Sequence, residues 1–240
     1  MSKTLSIFTM FLCLVITGIK AQNNHVNMHF NGGTSGFQLI DNGGTLIDIY
    51  DAVIHEQENG LFYNASLSYL HNFRRFAIGA DVSWNRLQGK SVFRIDSLGY
   101  GAGSEYVGLT ESNDYRYRFL NASTKVQFSI INHDKFSFGP YLQFGAAHIF
   151  SIRRKADFHF EAVLNSYSIV EKKDGSDFRP LILNAAAGLF AQYKLAESWS
   201  MRADLNYMSF LQHWVKLDFP EKSWYRYYSV GGGIGVVYSF

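Results

Sequence analysis

From Val26 to the last residue the sequence keeps splitting into alternate residues of opposite character, and that period of two constrains the fold more than any other feature. Phe76, Ile78, Ala80, Val82 and Trp84 alternate with Ala77, Gly79, Asp81, Ser83 and Asn85. Met201, Ala203, Leu205 and Tyr207 alternate with Ser200, Arg202, Asp204 and Asn206, and at the C-terminus Tyr228, Val230, Ile234, Val236, Tyr238 and Phe240 alternate mainly with Ser and Gly. Similar splits run over Val26 to Phe30, Leu61 to Tyr69, Leu120 to Ile130, Phe136 to Phe144 and Leu181 to Tyr193. Successive side chains of a strand point to opposite faces, so these eight segments read as strands with one apolar face each. A composition of 17% aromatic residues with 21 glycines and only 3 prolines suits closely packed strands.

The connections decide the architecture. Short ones fall near His71 to Arg74, Asn132 to Lys135 and Ala196 to Ser198, while long ones run from Asp41 to Gly60, Gln88 to Asp114, Ser151 to Phe178 and Val215 to Trp224. Alternation of tight turns with long loops is the pattern of barrels in an outer membrane, with the short turns on the periplasmic side. The expectation is therefore an all-β chain folded as one up-and-down antiparallel transmembrane β-barrel of eight strands, with long outer loops. Period alone does not say whether the apolar face points out to lipid or, as in a soluble lipocalin-type barrel, inward. The polar face is rich in Gly, Ser, Asn and Ala with isolated charges. Small side chains suit a narrow bore, and a basic group turned to lipid at mid-depth would cost about 2 to 4 kcal/mol, so the apolar face is expected outside.

The N-terminus fits export. Lys3 precedes an apolar run from Leu5 to Ile19, and Lys20-Ala21-Gln22 follows, so residues 1–21 read as a signal peptide and residues 22–240 as one barrel domain. The single cysteine, Cys13, lies inside that signal, which excludes a disulfide framework, a thiolate metal site and a cysteine nucleophile from the mature chain. Removing Lys3 and Lys20 from the 22 basic residues leaves 20 against 20 acidic ones. A neutral chain offers no basic face for nucleic acid.

At the Gly-rich stretch Asn31-Gly32-Gly33-Thr34-Ser35-Gly36-Phe37, the strand Phe76-Ala77-Ile78-Gly79-Ala80-Asp81 and the closing Gly-Ile-Gly-Val-Val-Tyr-Ser-Phe, the chain resembles the outer-membrane β-barrel family common in Bacteroidota, related to the OmpA-like membrane domain and to PorT-like proteins. The likeness covers nearly all of residues 22–240 and implies residence in the bacterial outer membrane amid lipid and lipopolysaccharide. The terminal Phe240 resembles the C-terminal aromatic signal read by the barrel assembly machinery. Function is expected to be non-enzymatic, in envelope architecture or surface contact through the outer loops. The alternatives are an accessory barrel of a secretion or envelope assembly complex, which a PorT-like protein implies, and a lipid-modifying enzyme.

Catalytic motifs dissolve on inspection. Gly89-Lys90-Ser91 lacks the preceding glycine of a phosphate loop, Trp84 standing there, and Gly231 to Gly235 has no helix after it to hold a pyrophosphate. His148 and Ser151, three residues apart on one strand, are expected on opposite faces, and His213 lies at the outer end of another segment. His25 and His29 read as residues of strand ends with no third metal ligand near in sequence, and no cofactor is expected. The inward charges are the most informative group. Asp81, Lys125, Lys194, Arg202 and Asp204 are expected to form a neutralised ion network that plugs the bore, since unpaired charges in a dry core are costly. Arg153, Arg154 and Lys155 are candidates for contact with lipid phosphates at the outer leaflet.

Overall fold

The computed structural model describes residues 24–41, 53–98, 107–160, 165–174, 181–211 and 223–240. The proposed signal peptide, His213 and nearly all of the loop from Val215 to Trp224 lie outside these residues. Ten strands follow one another: β1 (Asn24–Asp41), β2 (Val53–Phe73), β3 (Phe76–Leu98), β4 (Val107–Phe128), β5 (Ile131–Asn132), β6 (Phe136–Phe160), β7 (Asn165–Asp174), β8 (Ile182–Lys194), β9 (Trp199–Phe210) and β10 (Ser223–Ser239). All neighbours pair antiparallel, and the order β4-β3-β2-β1-β10-β9-β8-β6 closes through pairing of β4 with β6. Eight strands thus make a closed barrel. β5 is a short bridge at the turn before β6, and β7 carries on the line of β8, since β6 pairs with β8 from Phe136 to Ala147 and with β7 from Ser151 to Phe160.

The two ends of the described chain meet in the wall. The Asn24 amide donates to the Phe240 carbonyl at 3.1 Å and the Phe240 amide to the Asn24 carbonyl at 3.0 Å. At one end of the barrel the turns are tight. Phe73 pairs with Phe76, so Arg74 and Arg75 alone reverse the chain, and Arg74 takes a φ of 56°, the positive value a primed two-residue turn needs at its first position.

The other end differs from the expected long irregular loops. β3 and β4 stay paired beyond Gln88 and Asp114 as far as Leu98 and Val107, and β6 runs on to Phe160 with β4 on one side and β7 on the other. Main-chain ladders need no apolar face when water lies on both sides, and cross-strand pairs such as Lys90 with Glu58 sustain them. The alternation that marked the strands in sequence stops where the apolar environment stops, whereas the strands continue.

Outward side chains form an apolar belt. Phe30, Leu67, Ile78, Leu120, Phe144, Leu205 and Ile234 are all exposed on the wall, Ile234 at 67%. Aromatic residues edge both rims: Phe76 with Phe128, Trp199 with Tyr238 and Tyr238 with Phe240 at the short-turn end, and Tyr207 stacked with Tyr228 at the long-hairpin end. Tyr228 and Tyr238 are ten residues apart on β10. At ~3.3 Å per residue and a tilt of ~40° they are about 25 Å apart along the barrel axis, the height of the apolar band of a barrel that crosses lipid. An unpaired strand edge in hydrocarbon would be prohibitive, and closure through β4 and β6 removes it.

Candidate functional site

The bore is filled in layers. Nearest the short-turn end, β9 presents Ser200, Arg202 and Asp204 on its inward face, all buried. Arg202 and Asp204 are two residues apart, so their side chains emerge side by side. Arg202 Nε donates to Asp204 Oδ1 and Oδ2 at 3.0 and 2.9 Å and Nη2 to Oδ1 at 2.8 Å, while Nη1 donates to Gln127 Oε1 on β4 at 2.8 Å. The guanidinium carbon stands 4.5 Å from the centre of the Phe190 ring of β8. On the facing wall Asp81 accepts a hydrogen bond from Ser68 Oγ at 3.0 Å. Lys125 is fully buried, and its Nζ lies 4.3 Å from the centre of the Tyr141 ring without a hydrogen-bond partner among the described residues.

Two cations and two carboxylates therefore share this layer, which is formally neutral. Four of the five expected charges, Asp81, Lys125, Arg202 and Asp204, are buried together. Lys194 is not with them. It keeps the inward phase of β8 but is that strand's last residue, so its side chain is exposed and lines a vestibule of about 340 Å³ at the short-turn mouth, beside Arg74, Lys135 and Glu197.

Above the charges lies a layer of amides. Asn31 Nδ2 donates to Asn64 Oδ1 at 3.1 Å, Asn64 Nδ2 to Asn85 Oδ1 at 2.6 Å, and Asn184 Nδ2 to Asn121 Oδ1 at 2.8 Å. His29 belongs here too, buried with both ring nitrogens 3.0 Å from Ser66 Oγ, so it is an interior residue and not the strand-end residue expected from sequence. These groups surround a polar cavity of only about 20 Å³.

The third layer was not anticipated. Phe62, Leu87, Phe119, Ile149, Ile182, Met208 and Phe210 point inward and pack into a buried cluster that spans the long-hairpin half of the bore. Phe119 meets Phe210 edge to face at 5.3 Å. The expectation of a small, polar inner face therefore holds only for the lower bore. Beyond this cluster the Tyr117 and Tyr227 hydroxyls come within 2.6 Å of each other.

Near the start of the hairpin extension, a β-bulge alters which residues face out. Phe119 pairs with Ile149 and Arg118 with Ser151, leaving Phe150 as the extra residue on β6. One inserted residue reverses the phase. Ser151 thus shares the outward face with His148, correcting the expectation that they lie on opposite faces. The same reversal splits the basic run. Arg153 and Lys155 face out, whereas Arg154 faces in, with Nε donating to Asn113 Oδ1 at 2.8 Å and its guanidinium paired with Glu111 and, at 3.6 Å, Glu171. Arg154 is therefore a bracket holding β4, β6 and β7 together. Lys155 pairs with Asp157 at 2.8 Å, and that hydrogen bond, with one from Ser168, holds the Asp157 carboxyl below the usual carboxylate range.

Sequence reasoning missed Tyr141, Phe190 and Gln127, which hold the buried charges. Their signal was present in the inward phase of β6, β8 and β4, but Tyr141 and Phe190 stand among equally apolar outward neighbours. Phe240 is partly exposed, its ring stacked at 5.9 Å on Tyr238 in the short-turn girdle.

No family model matches the chain, and no curated protein matches it. Among solved structures, it is similar to the Neisserial surface protein A, at 10% identity over 89% of this chain and 97% of that one with a TM-score of 0.38. It is similar also to the attachment invasion locus protein Ail of Yersinia pestis, solved with the heparin analogue sucrose octasulfate, at 17% identity over 88% and 98% with a TM-score of 0.32. A third is the outer membrane protein OprG from Pseudomonas aeruginosa, at 10% identity over 91% and 96% with a TM-score of 0.36. At such scores these likenesses carry no functional argument.

Proposed function

We propose that this chain is a non-enzymatic outer-membrane β-barrel with a plugged interior, acting in envelope architecture or surface contact through the strand-built hairpins beyond its apolar belt. The observation that carries this reading is the closure of the bore by two successive seals, the Arg202–Asp204 layer with Lys125 and Asp81, and the Phe119–Phe210 cluster above it. An eight-stranded barrel has room only for its own side chains, and a bore so filled leaves function to the surface. Support for membrane residence comes from the closed ring, the belt and the two aromatic girdles. In this reading residues 1–21 direct export, and Phe240, as the last outward aromatic, is presented to the barrel assembly machinery.

Planar-bilayer recording of the purified barrel tests the reading. No steady current is expected, and single-channel currents of nanosiemens scale would show an open path that these side chains cannot provide.

A further inference from the structure

On β3, β4 and β6 the belt ends at a row formed by Trp84, Leu120 and His148, while on β2 the exposed ring of Tyr63 continues it beside Arg86. One outward row closer to the long hairpins, Arg86 on β3 stands directly opposite Arg118 on β4. One row further, Arg116 on β4 stands opposite Arg153 on β6, which stands opposite Lys172 on β7. Directly opposed residues have their Cβ atoms about 4.5 to 5.5 Å apart, and like charges there repel. Five cations thus crowd into two adjoining rows. Arg116 has a partner, Asp114 at 2.9 Å, and beside the rows Lys155 and Lys90 are paired with Asp157 and Glu58. Arg118, Arg153 and Lys172 are exposed with no ion pair among the described residues. Arg86 Nε is buried without a hydrogen-bond partner among them.

Such rows are unfavourable unless an anion lies across them, and their position says which kind. Immediately below are the exposed side chains of Trp84 and Leu120, with Phe144 two outward rows deeper in the belt, so the ligand must present phosphates at the interface and apolar chains beneath. Guanidinium groups grip phosphate oxygens in pairs and suit that interface better than ammonium groups do. We propose that Arg86, Arg118, Arg116, Arg153 and Lys172 form a docking surface for a phosphorylated lipid headgroup, the lipid A portion of lipopolysaccharide. The proposal rests on the outer-membrane reading above. It narrows the basic run read from sequence, since Arg154 faces the interior and takes no part, and it adds residues from three other strands.

Native mass spectrometry of the detergent-purified barrel tests it, with lipid A carrying both phosphates, lipid A stripped of them, and inorganic phosphate as three separate probes. Heat-modifiable gel migration establishes that each variant is folded. The wild type and a Lys135→Gln/Lys194→Gln control at the opposite mouth should retain phosphorylated lipid A about tenfold or more over the stripped form, the order that charge-assisted pairs supply. Arg118→Gln/Arg153→Gln should lose that preference while remaining folded, and Arg118→Lys/Arg153→Lys should retain part of it. Equal retention of both lipids by the wild type, or an unchanged preference in the glutamine variant, overturns the proposal. So does inorganic phosphate displacing the lipid, which marks a simple anion site. Failure of the membrane reading is separate and shows first, as a barrel that stays soluble without detergent.

Discussion

Phe119 on β4 and Phe210 on β9 touch edge to face at 5.3 Å although β6 and β8 separate their strands around the wall. The contact crosses the lumen, so it joins wall segments that no main-chain ladder joins. Phe119→Ala or Phe210→Ala should each cost about 3 to 5 kcal/mol, the usual loss for a buried phenylalanine. The double variant should cost less than the sum, with a coupling of about 0.5 to 1.5 kcal/mol for the aromatic pair. Urea unfolding in detergent measures this. Strict additivity would mean that the rings do not support each other. Both single variants should remain non-conducting, because the charged layer still closes the bore.

Arg202 is the hub of that layer. Arg202→Ala leaves Asp204 buried opposite Lys125 with three hydrogen bonds gone, and should cost about 3 to 5 kcal/mol. Arg202→Lys should be milder, because the charge stays while the fork to the carboxylate and to Gln127 is lost. Arg202→Met with Asp204→Leu should recover much of the loss, since apolar residues of similar volume often replace a buried pair without penalty. The denaturant midpoints of the three variants order these effects. A double variant less stable than Arg202→Ala would show that the charges do more than fill space.

The seam between the chain ends is equally specific. Gly233 on β10 pairs with Asn31 on β1, and a Cβ at Gly233 would overlap both the Asn31 side-chain oxygen and the Phe30 carbonyl. At Gly232 the nearest atom to a Cβ is Leu205 Cδ2 at 3.2 Å, the end of a flexible side chain on the outward face. Gly233→Ala should therefore lower the folded fraction on refolding into detergent, while Gly232→Ala should be neutral or gain up to about 1 kcal/mol from reduced backbone freedom. Gel shift before and after heating reads both.

The strand periods were legible in sequence, as were the inward phases of Asp81, Lys125, Arg202 and Asp204, because side-chain direction in a strand follows from position alone. Depth was not. Lys194 has the right phase but stands at the end of its strand, where the bore opens. The Phe119–Phe210 seal was hidden because Phe119 directly precedes the outward ladder that begins at Leu120, and an inward apolar residue beside an outward one breaks the alternation that reveals strands. Strand length was hidden for the converse reason, since hairpins bathed in water on both faces carry no period. The bulge at Phe150 depends on how β4 pairs with β6, which is a property of two segments and not of either one.

That bulge makes the last prediction. Without it, the inward residues of β6 would be Ile149, Ser151 and Arg153. With it, they are Ile149, Ile152 and Arg154, three residues apart at the bulge and two thereafter. The single cysteine of the sequence, Cys13, is replaced by serine, so that single cysteines at positions 148 to 154 can carry spin labels without background. Accessibility to collision reagents should have minima at 149, 152 and 154 and maxima at 148 and 153. Minima at 149, 151 and 153 would mean an unbroken ladder, and would turn Arg153 inward and Arg154 outward. Deleting Phe150, the residue without a cross-strand partner, should remove the bulge yet leave Ser151 opposite Arg118, so that Ile152 and Arg154 stay inward, Arg154 keeps Glu111 and Glu171, and both the β6–β7 hairpin and the ring of eight strands persist. The comparison identifies the extra residue, because labels on both sides of the deletion should keep their faces, whereas an exchange of faces above 149 would mean that Phe150 is a paired member of the ladder.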